Sequence, residues 1–381
     1  MTTNTKEIPF QTKAANELAT RVRNERGALL QAGTGVGKTY ITAQAIKQVV
    51  DEIQADPSIG ANAAIPVLWI APAATIIQTK RVLKAYGIAG KVLVLSYSAL
   101  TSPKTGGAMY YKARTVVTYG QENIVYDWSD IMLPKLVVFD ECQALKNEDS
   151  TRTNIARGLP ENVKRIFISA TPYQRVCEAR TVMVGVGMRS KYNVLPLSQN
   201  TAPSVMRSLA TYGNTAAYSP KAMERVKDVM EPYTVNVKGV RFKHKAHTEC
   251  VLIDFRNQKE RDIYNNAYNE YLEKLYKLRG QTGHGILAAR LVAMQKFRQK
   301  AEEIRSPLIA GRAHNAVQEG SQVIIASNFK NMLRGAWLAL TERYGYDSDR
   351  IGFVTGGQSS EQRQRHVDEF QEGKRDVMLL T

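Results

Sequence analysis

The chain has 381 residues, 44% hydrophobic and 23% charged, the balance of a soluble globular protein with room for two domains rather than of a disordered or fibrous one. Its 52 Lys and Arg against 35 Asp and Glu leave a formal charge of +17. A field of that sign attracts polyanions, although charge alone leaves a merely basic soluble protein equally open.

The opening MTTNTKEIPF has no apolar core of the kind a secretory signal needs. The longest apolar stretch, 63–77, contains Pro66 and Pro72 and is too short and broken to span a bilayer, so no membrane partner is expected. Cys142, Cys177 and Cys250 are odd in number and far apart, with no CxxC pair. Disulfides and a structural zinc are therefore not expected, and a reducing compartment is. Such a chain belongs in a cytoplasm (bacterial or phage-infected) or a nucleus, and is not secreted.

Short apolar runs alternate with helical patterns through the first half. Gly27–Leu30, Val67–Ala71, Val92–Leu95, Leu136–Phe139 and Ile166–Ile168 read as buried parallel strands. The alternation predicts an open α/β sheet with helices on both faces, and ligands at the carboxyl ends of its strands. Residues 183–235, rich in Ser, Asn, Thr and Met, read as a helical insertion, with helices near Ser204–Tyr212 and Lys221–Met230.

Cys250–Phe255 then reads as a strand and Gln258–Leu278 as a helix, with Tyr264, Tyr268, Tyr271 and Leu275 on one face. That stripe suits core packing better than base stacking. A second helix is expected over Ile286–Ile304, followed by strand Gln322–Ala326, helix Asn331–Tyr344, and strands Ile351–Thr355 and Asp376–Leu380. The basic residues concentrate here: Lys238–Arg312 holds 16 basic and 8 acidic residues.

Two motifs carry chemistry. Ala32-Gly33-Thr34-Gly35-Val36-Gly37-Lys38-Thr39 follows the first strand and opens a helix. Its glycines let successive backbone N–H groups turn inward around phosphate oxygens at the positive end of that helix. Lys38 is placed to reach the β- and γ-phosphates, and the Thr39 hydroxyl to ligate Mg²⁺. The second motif is the apolar strand Leu136–Phe139 ending in Asp140-Glu141. Phosphoryl transfer needs one acid on the metal and one group to orient the attacking water, roles that fit Asp140 and Glu141 respectively. His244 and His247 have a metal-ligand spacing but sit in a Lys-rich segment without Cys, and read as a solvated face.

In order, AGTGVGKT, PVLWIAPAATIIQ, VLVLSYSAL, VVFDECQALKN and FISATP resemble the first motor domain of superfamily 2 helicases. Leu145-Lys146-Asn147 after the acidic box, the run Phe242–Leu278, VIIASNF at Val323–Phe329 and VTGGQSSEQRQRHVDEF at Val354–Phe370 are similar to SWI/SNF-type ATPases. The resemblance implies an α/β fold of two RecA-like parallel-sheet lobes: lobe 1 over 1–180, a helical insertion or linker over 181–245, and the N-terminal part of lobe 2 over 246–381. It implies ATP held by Gly33, Thr34, Gly35, Val36, Gly37, Lys38 and Thr39, with Gln11 reading the adenine. Mg²⁺ would sit on Thr39 and Asp140. Lys38, Asp140, Glu141 and Gln143 are implied as catalytic, with Gln143 sensing the γ-phosphate. Ser169 and Thr171 are implied in coupling hydrolysis to motion. Pro72, Thr75, Ser96 and Ser98 would contact a nucleic-acid backbone, without reading sequence.

The sequence departs from the family pattern twice. Cys142-Gln143 stands where relatives often have Ala-His, and the arginine motif expected after Leu380-Thr381 is not within the chain, as in a fragment of a longer protein. The expected function is an ATP-dependent, Mg²⁺-requiring motor on nucleic acid, DNA before RNA. An RNA helicase of the same superfamily and a non-hydrolysing nucleic-acid-binding module are the alternatives.

Overall fold

Two parallel sheets, each wrapped by the helices that connect its strands, organise the residues the computed structural model describes: 8–56, 66–102, 104, 107–118, 121–129, 132–188, 201–210, 213–239, 248–252 and 254–381. The chain divides into two units, Met1–His244 and Lys245–Thr381.

The first unit runs α1 (Pro9–Asn24), β1 (Gly27–Ala32), α2 (Lys38–Ala55), β2 (Val67–Ala71), α3 (Ile76–Ala85), β3 (Val92–Ser96), α4 (Tyr97–Thr101) and α5 (Gly107–Tyr110). It continues with β4 (Tyr111–Thr118), β5 (Gln121–Trp128), β6 (Leu136–Asp140), α6 (Thr151–Arg157), β7 (Lys164–Ser169), α7 (Arg180–Gly185), α8 (Ala202–Leu209), α9 (Pro220–Met230) and β8 (Thr234–Val237). Six strands form a sheet in the order β3-β2-β6-β7-β1-β8, every neighbouring pair parallel.

Because side chains alternate along a strand, this sheet feeds two cores. Ala28, Leu30, Trp69, Val138, Ile166 and Ile168 face one core with α1 and α2. Leu29, Ile70, Val137, Phe139 and Phe167 face the other, where the Phe139 and Phe167 rings stack at 5.2 Å. α1 shows how local pattern sets the packing. Proline at its first turn costs no needed donor, and Ala14, Ala15, Leu18, Ala19 and Val22 bury one helical stripe.

Within the segment expected as a helical insertion or linker over 181–245, α8 and α9 lie near the expected helices, while strand β8 and the packing into the first unit were not expected. β8 pairs with β1 in register Leu29 with Thr234, and Ala202, Met206, Ala222, Val226 and Met230 are buried in the core of the first unit. The Thr-Val-Asn-Val strand is four residues long, too short to give a period-2 signal between helical patterns.

The hairpin β4–β5 was not read from the sequence either. It pairs Tyr111 with Trp128 and buries Tyr110, Tyr111, Tyr126 and Trp128, with the indole N–H of Trp128 donating to Ile155 O at 2.9 Å. The turn after α6 closes tightly on it: a Cβ added at Gly158 would lie 2.2 Å from Tyr126 O. Replacing Gly158 by Ala is therefore expected to destabilise the first unit by about 1–3 kcal/mol, seen as a lower urea midpoint at unchanged slope. An unchanged midpoint would mean that the hairpin yields freely.

The second unit runs α10 (Gln258–Lys277), α11 (His284–Gln318), β9 (Val323–Ala326), α12 (Lys330–Leu338), β10 (Ile351–Val354), α13 (Ser360–Gln371) and β11 (Val377–Leu380). Its parallel sheet has the order β10-β11-β9 and packs Ile325, Ile351, Val377 and Leu379 against Ala310 and Ala313 of α11 and Met332, Leu333 and Ala336 of α12. α13 opens with a capping box between Ser359 and Gln362.

Two expectations fail here. No strand forms among the described residues of 250–255. The second long helix does not stop at Ile304 but continues through Pro307 to Gln318. Proline deletes the N–H that Glu303 O would accept, and the Ser306 hydroxyl takes its place, donating to that carbonyl at 2.8 Å. Among the described residues no helix is long and apolar enough to cross a membrane.

Candidate nucleotide site

Parallel pairing puts the carboxyl ends of β1, β7 and β6 side by side on one edge of the first sheet. β1 delivers the phosphate loop. Gly35 and Gly37 take φ of +78° and +85°, a region that side-chain-bearing residues rarely adopt, and Gly37 caps α2. Val36 between them is fully buried and anchors the loop, while Thr34 and Gly35 are exposed. Gly33 is half-buried, and Thr39 is half-buried in the first turn of α2.

β6 ends in Asp140 and Glu141. Asp140 is 5% exposed, and its Oδ1 accepts from the Glu141 backbone N–H at 3.0 Å. Burial, reinforced by the neighbouring Glu141 charge, pushes the Asp140 carboxyl up to about 6. Glu141 sits at φ +51°, the one non-glycine residue with positive φ among those described. That conformation is costly for a residue with a Cβ, and turns the carboxylate back toward the phosphate loop.

There the two motifs meet: Lys38 Nζ lies 3.5 Å from Glu141 Oε1. A chain of hydrogen bonds continues to β7. Gln143 Nε2 donates to Glu141 Oε2 at 2.7 Å, Ser169 Oγ donates to Gln143 Oε1 at 2.7 Å, and the Thr171 backbone N–H donates to Ser169 Oγ at 2.9 Å. Gln143 thus occupies the span between the acidic end and the β7 loop, its amide donating one way and accepting the other.

Gln11 lies at the phosphate loop, its Nε2 donating to Val36 O at 2.9 Å. A Cβ at Gly37 would come within 2.4 Å of that nitrogen, the far end of a flexible side chain that can swing aside, so it is the φ of +85° that calls for glycine there. The side chain expected to read adenine is thus bonded to the loop.

Pro72, Thr75, Ser96 and Ser98 are at the same sheet edge, with Ala71 paired to Ser96 in register. Thr75 Oγ1 donates to Pro72 O at 3.0 Å, and Ser96 Oγ accepts from Ala99 N at 2.9 Å and shares a 2.9 Å contact with Ser98 Oγ. Pro72 and Thr75 are half-buried and Ser98 is exposed. Two of these hydroxyls are thus engaged in turn and cap bonds. His244 and His247 lie outside the described residues.

One residue escaped the sequence reading. Tyr97, 6% exposed, donates its hydroxyl to Asp140 O at 2.9 Å and so pins the turn where β6 ends. Burial raises its phenol well above the usual range, so it stays a donor. Only the register of β3 beside β2 and of β2 beside β6 brings it there.

The donor set suits a hard divalent cation. The Thr39 hydroxyl and the Asp140 carboxylate would offer it oxygen, the donor atom such a cation prefers. Among the described residues no cluster of three or more His, Cys, Asp or Glu could hold a metal alone.

A family model described as DEAD/DEAH box helicase matches residues 8–179. Among solved structures, the Sulfolobus solfataricus SWI2/SNF2 ATPase core in complex with dsDNA is similar at 15% identity and TM-score 0.43, over 98% of this chain and 77% of that one. The Sulfolobus solfataricus SWI2/SNF2 ATPase core domain is similar at 16% identity and TM-score 0.43, over 100% and 77%. S. cerevisiae Dbp5 bound to RNA and ADP BeF3 is similar at 14% identity and TM-score 0.41, over 99% and 74%. No curated protein sequence matches the chain.

Proposed function

We propose that the DEAD/DEAH box helicase domain formed by residues 8–179 drives an ATP-dependent, Mg²⁺-requiring translocase on double-stranded DNA. One observation carries the ATPase part: Lys38 of the phosphate loop lies 3.5 Å from Glu141, next to a buried Asp140. Lys38 would turn to the β- and γ-phosphates, releasing Glu141 to orient the attacking water. Thr39 and Asp140 would hold Mg²⁺, which when bound neutralises charge on the transferred phosphoryl group. Gln143 senses that exchange, because its amide donates to Glu141 while accepting from Ser169. Loss of the γ-phosphate would thereby be felt at Thr171.

The DNA part rests on the SWI/SNF-like segments, on exposed Lys146 and Asn147 after the acidic box, and on the excess of positive charge. Phosphate release from the full chain, measured alone, with duplex DNA and with single-stranded RNA, tests it. Duplex DNA is expected to stimulate more. Stronger stimulation by RNA would assign the chain to RNA helicases instead. Affinity for the duplex should also fall steeply, about 10³-fold or more between roughly 50 and 200 mM salt for six or more phosphate contacts. A flat salt response would remove the idea that the basic surface tracks phosphates.

A further inference from the structure

The helix pair of the second unit carries an apolar surface that its own core leaves open. The inner face of α10 is occupied: Tyr264, Tyr268 and Tyr271 each pack on Phe297 of α11, with ring centroids 5.4, 5.5 and 5.4 Å away. The adjoining face is not. Leu272 and Tyr276 lie one turn apart, on one stripe of the helix, and are 43% and 74% exposed. Across the turn, α11 exposes Leu287 and Leu291 with the same spacing. A groove of about 750 Å³ opens at this end of the pair, walled by Leu272, Leu275 and Tyr276 and rimmed by Lys277, Arg279 and Arg290. Single exposed leucines are ordinary on a protein surface, but a stripe of them at helical spacing beside a groove marks a contact surface.

We propose that this surface docks an acidic amphipathic segment of another protein, bound as a helix with its apolar stripe in the groove and its carboxylates on the basic rim. Charge selects the occupant. Around the groove Lys277, Arg279 and Arg290 outnumber the one acidic residue that lines it, Glu273. A second copy of a chain of charge +17 would bring the same basic rim against itself, and like charges across an interface are costly. Nucleic acid would gain from the cations and from Tyr276, but phosphodiesters give Leu272, Leu287 and Leu291 no apolar partner, and it is apolar burial that such side chains supply. An amphipathic acidic helix satisfies both.

The test is selection of peptides by the full chain from a displayed library of random 16-residue sequences. The enriched peptides should carry Leu, Phe, Ile, Met or Trp at i, i+3 or i+4, and i+7, with Asp and Glu on the remaining faces. A fluorescein-labelled consensus peptide should then bind at least about tenfold more weakly to the Leu272→Ala, Tyr276→Ala double variant. It should also bind more weakly to Arg279→Glu, with unfolding curves of both variants unchanged because these side chains are exposed. Failure to enrich any such peptide, or equal binding to the double variant, overturns the proposal. So does a double variant that loses duplex-DNA affinity while keeping the peptide, or a concentration-dependent dimer that the double substitution abolishes.

Discussion

Asp140→Asn is expected to raise the stability of the first unit at neutral pH and, on the proposed function, to abolish hydrolysis of nucleotide. The carboxyl is 5% exposed, and burial together with Glu141 lifts it from 3.8 to about 6. The folded protein therefore holds this proton over a pH range in which the unfolded chain has released it. Stability falls as pH rises from about 4 through 6, and above that the ionised carboxylate costs on the order of 3 kcal/mol. Asparagine carries no charge to desolvate, and its side-chain oxygen can still accept from the Glu141 N–H that Asp140 holds at 3.0 Å. Urea unfolding at pH 7.5 should show the variant more stable by roughly 2–3 kcal/mol, with the difference closing below about pH 4. A variant less stable at pH 7.5, or a difference that ignores pH, would mean that the carboxylate is not strained by its burial. A stored cost of this kind is found where function needs a charge in a place that folding alone would leave neutral.

Much of the first unit was legible because its determinants are local. Apolar runs bounded by turn residues marked the cores of β1, β2, β3, β6 and β7, and the glycine spacing of 32–39 marked the phosphate loop before any geometry was known. The acidic end of β6 was legible for the same reason: two carboxylates at the mouth of a fully apolar strand need an explanation. What stayed hidden depends on pairing. β8 is too short to announce itself and exists because β1 offers a free edge. The β4–β5 hairpin gathers Tyr111, Tyr126 and Trp128, which in sequence look like scattered aromatics.

The continuation of α11 through Pro307 hinges on one hydroxyl, and a rule that ends helices at proline cannot see it. Within the site, the Gln11 bond to Val36 and the Tyr97 bond to Asp140 are likewise products of register and packing rather than of motif. The tyrosine stripe of α10, expected as core, meets Phe297 of α11 but stays half-buried at Tyr264 and Tyr271 and exposed at Tyr268. The outer stripe one face away becomes visible only when the partner helix is in place and leaves it uncovered.

Glu141→Gln is the second large effect. The amide keeps the size and shape of the side chain and can still accept from Gln143 Nε2, which donates to Glu141 at 2.7 Å. It loses the negative charge that faces Lys38 at 3.5 Å and the basicity needed to orient and deprotonate water. Removing a positioned base of this kind costs about 10²–10⁴ in rate. Nucleotide affinity should change far less, because on the proposed function the phosphates would be held by the backbone of 33–39 and by Lys38, which the substitution frees from its ion pair.

Phosphate release by the full chain at saturating ATP and Mg²⁺, parent beside Glu141→Gln, is thus the most direct measurement of whether the Lys38–Glu141 pair is a hydrolytic centre. A fall of about a hundredfold or more with nucleotide affinity retained is the expected outcome. Equal rates in the two proteins would mean that Glu141 does no chemistry.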